Sequence, residues 1–591
     1  MDIQFELPIT YITNKELVNK SIIEDLQLIP NENDISNENN NNEYTLKHIF
    51  HPKTQSEMDM VSQWAKYYTS NRHFLKDSQN LYKNSSLKKF PDFYGTVKQS
   101  EKQILFSRIE DLQSNENFCD QYNYIDWKYC KWLNNYSWFL QLSSMLSLAS
   151  PILTLCAPFF LLIIPFLILK FNGIAISFSS YYRQLIQLFS QHAFSKLFTN
   201  FTKVSWEQRI YLLFSAIMYV FQIYSNIQFC FRFYKNMNFI SDTNNLISNF
   251  ITNNNNYIET YTKLTRDLKS YEGFNKTLTT NKKVLNDFNN KIKHLNNFKL
   301  NFTNLLSMGE ILKHYYSLFY SNSLINALQY MEGFQSYIGN IIQLNKQLMS
   351  KEISIVKLQS KLTDGYLHFK DIYYPSVNKS ERICNDIKLT KNMLITGPNA
   401  SGKTTILKAT LLNVLLSQQL GCGCYSSGSK IRLYDKINCY INIPDTSGRD
   451  SLFQSEARRC KEIYDSVLNN HDKFHFCIFD ELYSGTNPYE AISASYSFIN
   501  HLSKRQNIDF MLTTHYIDLC QHLEHNKQLR NCSMKTIDED DDFKYTYEID
   551  YKISNVRGGV KVLKELDYPE SMIKDAKNFL RNIELLSIKN K

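Results

Sequence analysis

The residues best suited to chemistry form a glycine-containing run that begins at Gly397. The run GPNASGKT matches the pattern G-x-x-x-x-G-K-[ST], with Gly402, Lys403 and Thr404 at its fixed positions. Such a loop lets backbone N–H groups surround phosphate oxygens, brings the lysine to the β- and γ-phosphates, and offers the threonine hydroxyl to Mg²⁺. The apolar segment NMLIT precedes the run and the helical pattern ILKATLLNVLLSQQ follows it. The pattern and its flanks therefore predict a nucleotide phosphate site.

Two further apolar segments end in polar residues that suit such a site. The segment Phe474–Phe479 is followed by Asp480 and Glu481. We expect Asp480 to hold Mg²⁺ through water and Glu481 to polarise the water that attacks the γ-phosphate. The segment FMLTT is followed by His515, which at a strand end can sense the γ-phosphate, although a single histidine there is also compatible with a structural role.

A polar stretch that turns into an amphipathic helix lies between the phosphate loop and Asp480. It carries Ser451, Phe453 and Glu456 at spacings of two and three. In ATPases of the ABC type, a serine that opens such a helix completes the nucleotide site of the partner subunit. That role requires a dimer.

These motifs together resemble the C-terminal ATPase domain of the MutS family, the ABC-type DNA mismatch-repair proteins. The resemblance rests on TGPNASGKTT, S-x-F-x-x-E, FDELYSGTNPYEA and TTHY, and it covers about residues 366–580. Upstream, Asn385-Asp386-Ile387-x-Leu389 is similar to the family's lead into the phosphate loop. Downstream, Gly559-Val560 and Tyr568-Pro569 are similar to its closing helix. The whole chain looks like short MutS-like proteins that have a membrane segment and no mismatch-recognition domain.

The resemblance implies a Mg²⁺-dependent ATPase that works as a homodimer with composite nucleotide sites. It implies Mg²⁺ contacts for Thr404 and Asp480, and catalytic roles for Glu481 and His515. Gly485-Thr486 would lie at the dimer interface, and Ile383 or a neighbour stands where the family commonly has an aromatic residue against adenine. The residues that would contact ATP, including Ser451 acting on the opposing subunit's nucleotide, are Gly397, Asn399, Ser401, Gly402, Lys403, Thr404, Thr405 and Ser451.

A chain of 591 residues is too long for one domain, and its composition changes suggest five regions. We predict a flexible arm over 1–45, which ends in an Asn/Glu tract, and a helical region over 46–125. A membrane-associated segment is predicted over 126–235 and long core or lever helices over 236–365. Residues 366–591 are predicted to form an α/β P-loop ATPase domain of the ABC type, so the fold class is this domain preceded by a mostly α-helical region.

Two uncharged runs predict membrane contact. No charged residue occurs from Trp132 to Leu169, and Leu142–Leu169 is long enough to cross a bilayer. Prolines recur there every seven residues, which predicts a kinked or broken helix, and a buried core helix is the alternative. The second run, Ile210–Phe231, is diluted by three amide side chains. The basic segment between the runs conflicts with two simple spans, because positive residues favour the cytoplasmic side. A hairpin or interfacial insertion of the first run would remove this conflict.

The predicted helices between 240 and 360 carry two features. The residues Leu264, Tyr271, Leu278, Leu285 and Ile292 recur every seven positions, which suits helix pairing in a coiled coil or within the chain. Within 258–300, nine basic residues outnumber four acidic ones, which suits either a phosphate-contacting face or a solvated surface.

The composition restricts the cellular compartment of the protein and the classes of function that it can have. Twelve scattered cysteines favour a reducing, intracellular compartment, and Cys422-Gly-Cys424 is too short a motif to predict a metal site. We expect an ATP-binding and ATP-hydrolysing protein that binds DNA and is related to mismatch repair or recombination. No phenylalanine in residues 1–240 has glutamate two positions later, so the family's mismatch wedge is missing. The alternative is a membrane-anchored, ATP-driven switch or scaffold that does not act on DNA, and two apolar runs are too few for a transporter.

Overall fold

A computed structural model of the chain describes most of its residues. The described ranges are 5–30, 44–90, 96–173, 205–295, 305–359, 366–441, 451–539, 542–554 and 558–589, with single residues or short pieces at 177, 179–183, 186 and 556.

The chain divides into two compact units that interleave in sequence. The first unit contains residues 1–3, 92–256 and 280–328, and its described elements are helices. The second unit contains residues 4–91, 257–279 and 329–591, and it holds the described β-strands. Residues around 46–125 and 236–365 are therefore shared between two units and do not form separate consecutive regions.

The α-helices are numbered here in chain order. They are α1 Lys20–Asp25, α2 Lys47–Phe50, α3 Gln55–Trp64, α4 Arg72–Lys83, α5 Thr96–Ser114, α6 Phe118–Tyr122, α7 Ser137–Phe171, α8 Trp206–Thr265, α9 Glu272–Ile292, α10 Met308–Tyr320, α11 Asn322–Met349, α12 Lys403–Gln419, α13 Leu452–Asn469, α14 Pro488–Leu502, α15 Ile517–His522, α16 Gly559–Glu565 and α17 Glu570–Lys589. Short 3₁₀ turns occupy Pro8–Tyr11, Ser85–Lys89, Lys131–Asn135, Lys269–Tyr271 and Lys293–Leu295.

The strands are numbered in the same way. They are β1 Lys15–Leu17, β2 Tyr67–Thr69, β3 Ser354–Ile355, β4 Lys357–Leu358, β5 Leu367–Ile372, β6 Asn385–Leu389, β7 Asn392–Thr396, β8 Cys422–Gly423, β9 Lys430–Ile431, β10 Lys436–Tyr440, β11 His475–Asp480, β12 Ile508–Thr514, β13 Leu529–Glu539 and β14 Asp542–Asp550.

The second unit is built on a six-stranded sheet in the order β10-β11-β12-β7-β13-β14. The first five strands are parallel, and β14 returns antiparallel to β13 as a hairpin. A four-stranded sheet in the order β4-β9-β5-β6 and the antiparallel pairs β1-β2 and β3-β8 complete the strands. The domain is therefore of mixed α/β class, with a mostly parallel central sheet.

The parallel strands are continuous apolar runs because both faces of the sheet are covered. Every residue of β7 is buried, and β11 is buried from His475 to Phe479. Helix α12 is buried over almost its whole length. A helix enclosed on all sides needs no polar face, which explains why ILKATLLNVLLSQQ shows little amphipathic contrast. The phosphate loop therefore joins two rigid, buried elements.

The prediction of a flexible arm over 1–45 is wrong for its described part. Phe5, Leu7, Leu26 and Leu28 are each at most 4% exposed, and Phe5 packs so closely on Gly333 that a Cβ atom there would clash. These scattered apolar residues carry no recognisable period, yet they belong to the core of the second unit. Most of the Asn/Glu tract, residues 31–43, lies outside the described residues.

The seven-residue row does not run along one helix. Helix α8 ends at Thr265 and α9 begins at Glu272, with a 3₁₀ turn over Lys269–Tyr271 between them. Tyr271, Leu278, Leu285 and Ile292 are buried within the chain, so their pairing is intramolecular. Lys299, one of the basic residues counted above, lies outside the described residues.

In the first unit, α7 is one helix of 35 residues and α8 one helix of 60. The prolines at 151, 158 and 165 do not divide α7, which contradicts the expectation of a broken helix. Within the described residues, two stretches are long and apolar enough to cross a membrane, one at Ser137–Cys156 and one at Arg209–Thr265. In the most apolar 18-residue window of each stretch only 11% and 0% of the residues are buried, which differs from the burial of a core helix.

Candidate nucleotide site

The phosphate loop connects the end of β7 to the first turn of α12. Gly402 caps the helix with φ of 93°, a conformation that glycine adopts without strain. A Cβ atom on Gly402 would lie 3.2 Å from the ring of Tyr547, so the position also needs a small residue. The loop thereby presents the N–H groups of α12 at one edge of the sheet, where a helix N-terminus attracts anions.

Lys403 is buried at the base of this loop. Its Nζ donates to the carbonyl oxygens of Gly397 and Pro398 at 3.1 and 3.0 Å, and it lies 3.3 Å from His515 Nε2. Burial lowers the pKa of the Lys403 ammonium, while the nearby carboxylates of Glu481 and Asp480 act in the opposite direction. A buried cation with acidic neighbours is well placed to attract phosphate oxygens.

Asp480 ends β11 beside the last residues of β12. Its Oδ2 accepts a hydrogen bond from Thr404 Oγ1 at 2.8 Å, and its Oδ1 accepts one from the Thr513 hydroxyl. The parallel register pairs Asp480 with Thr513, which explains why residues distant in sequence meet here. A carboxylate and a hydroxyl are the oxygen donors that Mg²⁺ prefers, so Thr404 and Asp480 fit this ion.

Glu481 and His515 are joined by a hydrogen bond at the same sheet edge. His515 Nε2 lies 2.7 Å from Glu481 Oε1. The hydrogen bond from His515 is the main influence that holds the pKa of Glu481 below its usual range, and burial opposes it. Glu481 has φ of 51°, which is an unusual conformation for a residue with a side chain. A glutamate kept ionised beside the phosphate loop can accept a hydrogen bond from water.

Lys403, Thr404 and Glu481 line a cleft of about 640 Å³, whereas Asp480 and His515 lie behind them and are not among its described lining residues. Its far wall includes Tyr373 and Ile383, and the Arg382 guanidinium stacks 3.9 Å above the Tyr373 ring. Tyr547 of β14 closes another side. The cleft is large enough for a nucleotide, and it brings Asn399, Ser401, Gly402, Lys403, Thr404, Thr405 and Glu481 to one surface.

Sequence reasoning missed Tyr373 and Tyr547, which supply aromatic rings near Ile383. Asn385 holds Tyr547 in place, because its side chain donates to the Tyr547 carbonyl at 3.0 Å and accepts from the Ile549 amide at 2.8 Å. The asparagine in the N-D-x-x-L lead was therefore the available signal, since a half-buried amide at a sheet edge commonly bonds to backbone groups.

A family model of MutS domain V matches residues 393–584. The C-terminal part of the chain is therefore similar to MutS domain V. The DNA mismatch repair protein MutS of Persephonella marina is 28% identical over 228 residues, which are 37% of this chain and 26% of that protein. Endonuclease MutS2 of Lactococcus lactis subsp. cremoris is 29% identical over 207 residues, which are 34% of this chain and 26% of that protein. The chain thus spans about a quarter of the length of these relatives.

Ser451 lies elsewhere in the MutS domain, at the start of α13. Its hydroxyl accepts from the Gln454 amide at 3.3 Å, and Gln454 Oε1 accepts from the Ser451 amide at 3.0 Å, which forms a capping box. Ser451 is exposed and, among the described residues, is not one of those that line the cleft.

Glu456 has a structural task in the MutS domain that its place in S-x-F-x-x-E did not reveal. It is 3% exposed, and its carboxylate accepts from the Ser484 amide and hydroxyl and from the Gly485 amide. A Cβ atom on Gly485 would lie 2.8 Å from Leu452 Cγ, so α13 packs tightly on this loop. Helix α13 is therefore tied to the segment that follows Glu481.

Two minor motifs contribute nothing to the site of the MutS domain. Cys422 and Cys424 are buried, and desolvation raises the pKa of the Cys424 thiol to about 12. No group of three or more His, Cys, Asp or Glu residues suited to a metal ion occurs in the part of the chain that the structure describes. The acidic run at 538–542 falls at the turn of the β13-β14 hairpin, where residues 540 and 541 lie outside the described ranges.

Proposed function

We propose that this chain binds ATP in the cleft beside the phosphate loop and hydrolyses it with the help of Mg²⁺. The observation that carries the proposal is the convergence of five side chains at one sheet edge. Hydrogen-bond distances link Thr404 to Asp480, and Glu481 to His515, which in turn lies 3.3 Å from Lys403. These are the residue types that phosphoryl transfer to water requires.

Each residue has a role that follows from its surroundings. Thr404 and Asp480 would hold Mg²⁺, which supplies positive charge against the phosphate oxygens. Lys403 adds a second positive charge, and its carbonyl contacts can be exchanged for contacts with phosphate. Glu481, ionised and next to His515, orients a water and accepts its proton. His515 acts as a positioning residue, because its hydrogen bond fixes the Glu481 carboxylate.

We propose a homodimer in which Ser451 of one subunit completes the site of the other. Ser451 is exposed and stands at the N-terminus of an 18-residue helix, where backbone N–H groups favour an anion. The chain's own cleft is not lined by Ser451 among the described residues. We therefore propose that this hydroxyl contacts the nucleotide bound by the second subunit.

We propose DNA as the macromolecular partner of the ATPase. Support comes from the relatives, which are named as a DNA mismatch repair protein and an endonuclease. Exposed basic residues of the helices α8 and α9 and their flanks, which suit phosphate contacts, are Lys263, Arg266, Lys269, Lys291 and Lys293.

A second candidate function is a membrane-anchored, ATP-driven switch that does not act on DNA. It is favoured by the exposed apolar surfaces of α7 and α8, because DNA binding does not require such surfaces. Membrane association in an intracellular compartment is compatible with both candidates, so DNA binding is the property that separates them.

The deciding experiment uses the Glu481→Gln variant, which we expect to bind ATP without turning it over. Binding to homoduplex, mismatched and branched DNA is measured at two salt concentrations, with and without ATP. The matched control is Glu462→Gln, which changes an exposed glutamate of α13. We expect ATP-dependent binding that weakens with salt, and a preference among the three DNAs would identify the structure that is recognised.

Two outcomes would contradict parts of the proposal. Normal ATP turnover by Glu481→Gln would refute the assigned chemistry. Absence of DNA binding by a protein that has bound ATP and is dimeric would refute the DNA partner and favour the membrane-anchored switch.

A further inference from the structure

Helices α7 and α8 run antiparallel in the first unit and pair over the middle of their apolar stretches. Cys230 Sγ lies 3.7 Å from the Ser147 carbonyl oxygen, and the Tyr219 hydroxyl lies 2.8 Å from the Thr154 carbonyl oxygen. Away from this contact line, large apolar side chains are exposed on both helices. Examples are Leu155 and Ile163 on α7 and Ile217 on α8, which are 52–64% exposed.

The contact line satisfies backbone groups that prolines have left without a partner. Proline has no N–H, so Pro151 and Pro158 cannot donate to the carbonyls four residues earlier, Ser147 and Thr154. The Thr154 carbonyl accepts from the Tyr219 hydroxyl of α8, and the Cys230 thiol is shared between the Ser147 carbonyl at 3.7 Å and the Leu148 carbonyl at 3.8 Å. A neighbouring helix that supplies the missing donor is how proline-containing helices are tolerated in lipid, where water cannot supply it.

One of the three amide side chains in the apolar run of α8 contacts α7, and the other two, Gln222 and Gln228, are exposed. Asn226 Nδ2 donates to Thr154 Oγ1 at 2.8 Å, so the amide that interrupts the second apolar run turns towards α7. Gln228, which is exposed, donates to the hydroxyl of Tyr224 one turn earlier. Hydrogen bonds between helices of this kind are typical of segments that pack within a bilayer.

Aromatic residues surround the start of α7. The exposed side chains just before the apolar stretch, which we call the aromatic collar, are those of Trp127, Tyr129, Trp132, Tyr136 and Trp138. Tryptophan and tyrosine concentrate at the boundary between lipid and water, because their rings are apolar and their N–H and O–H groups need polar partners.

We propose that α7 and α8 insert into a lipid bilayer as an antiparallel hairpin, held together by Thr154, Tyr219 and Asn226 and bounded by the aromatic collar. A bilayer core about 30 Å thick needs about 20 residues of helix, and both apolar runs supply that length. The hairpin places residues 126–136 and the part of α8 after Phe231 on one side of the membrane, and the end of α7 at Phe171 and the start of α8 at Trp206 on the other side. This arrangement puts Lys170 and Arg209 opposite residues 126–136, against the usual preference of positive residues for the cytoplasmic side, and the topology experiment below tests it directly. This proposal is independent of the nucleotide chemistry, so ATP turnover serves as a folding control.

The first experiment tests membrane residence and topology. The full chain is expressed with an epitope tag next to Glu116 or within residues 187–190, and its membranes are washed with alkaline carbonate. We expect the chain to stay with the membranes, and the two tags to be digested from opposite faces of sealed vesicles. Release by carbonate, a soluble oligomer, or digestion of both tags from the same face would overturn the hairpin.

The second experiment tests the proline-linked contact with a double-mutant cycle in detergent micelles. Tyr219→Phe removes the donor to the Thr154 carbonyl, whereas Tyr211→Phe changes an exposed tyrosine of the same helix. We expect Tyr219→Phe to lower the thermal midpoint of the helix pair by several degrees and Tyr211→Phe to leave it unchanged. Pro158→Ala restores a backbone donor, so Tyr219→Phe should have little effect in that background.

Equal midpoints for Tyr219→Phe and Tyr211→Phe would overturn the assigned contact, as would an undiminished effect of Tyr219→Phe in the Pro158→Ala background. Each variant is accepted for comparison only when its ATP turnover matches that of the parent chain. This condition separates a local loss of helix pairing from a general failure to fold.

Discussion

The sheet of the MutS domain and the α7-α8 pair bury their apolar residues in opposite ways. Strand β7 is buried at every position, and the charged residues Lys403 and Asp480 lie at the edge of the sheet. The apolar stretches of α7 and α8 are mostly exposed, while Thr154 and Asn226 face each other between the helices. One rule operates at the contacts named in both regions, because Asp480 is hydrogen-bonded to Thr404 and Asn226 to Thr154 where water is largely kept away. The difference lies in which surface meets water.

The largest effect is expected at the polar edge of the sheet. Lys403→Ala removes the buried ammonium that faces the phosphates, and we expect ATP turnover to fall at least ~100-fold, as for loss of a preorganised charge at a transition state. Lys391→Ala, which changes an exposed lysine before β7, should have no effect. Steady-state ATPase assays of both variants provide the test. Comparable turnover in the two would disprove the assigned site.

The next effect distinguishes exposed apolar residues in the two regions. Ile217 of α8 is 64% exposed and Ile537 of β13 is 50% exposed. An aspartate at the centre of a membrane helix costs about 3 kcal/mol, whereas a surface charge in water changes stability by less than about 0.5 kcal/mol. We expect Ile217→Asp to lose membrane retention and Ile537→Asp to keep it. Membrane fractionation that gives the same result for both would remove the distinction between the regions.

A smaller effect is expected where a buried charge holds a loop. Glu456→Ala leaves the Ser484 and Gly485 donors without their carboxylate, and we expect unfolding to become easier by roughly 2–3 kcal/mol. Glu462→Ala removes an exposed ion pair with Arg459 and should cost less than about 0.5 kcal/mol. Denaturant titration of both variants measures the difference, and equal midpoints would show that the Glu456 contacts do not hold α13 to the loop.

The smallest effect is a change in pH dependence. Glu481 has a pKa held below its usual 4.5, mainly by the hydrogen bond from His515, so the ionised carboxylate contributes stability above that pH and loses it as the pH falls through the lowered pKa. His515→Ala removes this influence and leaves burial, which raises the pKa. We expect the acid limb of the remaining ATP turnover to move to higher pH. His522→Ala is the control, and an unmoved acid limb in His515→Ala would contradict the pairing.

Short sequence motifs predicted residues that the structure brings together at one sheet edge. Lys403, Asp480 and His515 each follow an apolar strand, and parallel strands bring such ends to one edge. Tyr547 was missed because its partner Asn385 lies 162 residues earlier, so the motif around Asn385 signals a backbone contact without saying which residue it fixes. The buried positions near the N-terminus were missed because isolated apolar residues have no period until the core they fill is known.

The pairing of α7 with α8 also could not be predicted from local sequence patterns. The proline spacing suggested a broken helix, since a proline interrupts the hydrogen bonds of its own helix. Tyr219 and Cys230 compensate from a helix more than 60 residues later, and such compensation is visible only in three dimensions.

The backbone conformation of Glu481 indicates that stability of the fold and activity place opposite demands on this position. Its φ of 51° lies in the left-handed region, where glycine is at ease and a residue with a Cβ atom is strained by about 1 kcal/mol. Glu481→Gly should therefore fold at least as stably as the parent chain while losing its ability to activate water. A position at which the best residue for stability is the worst for activity is one that folding requirements alone would not fill with glutamate.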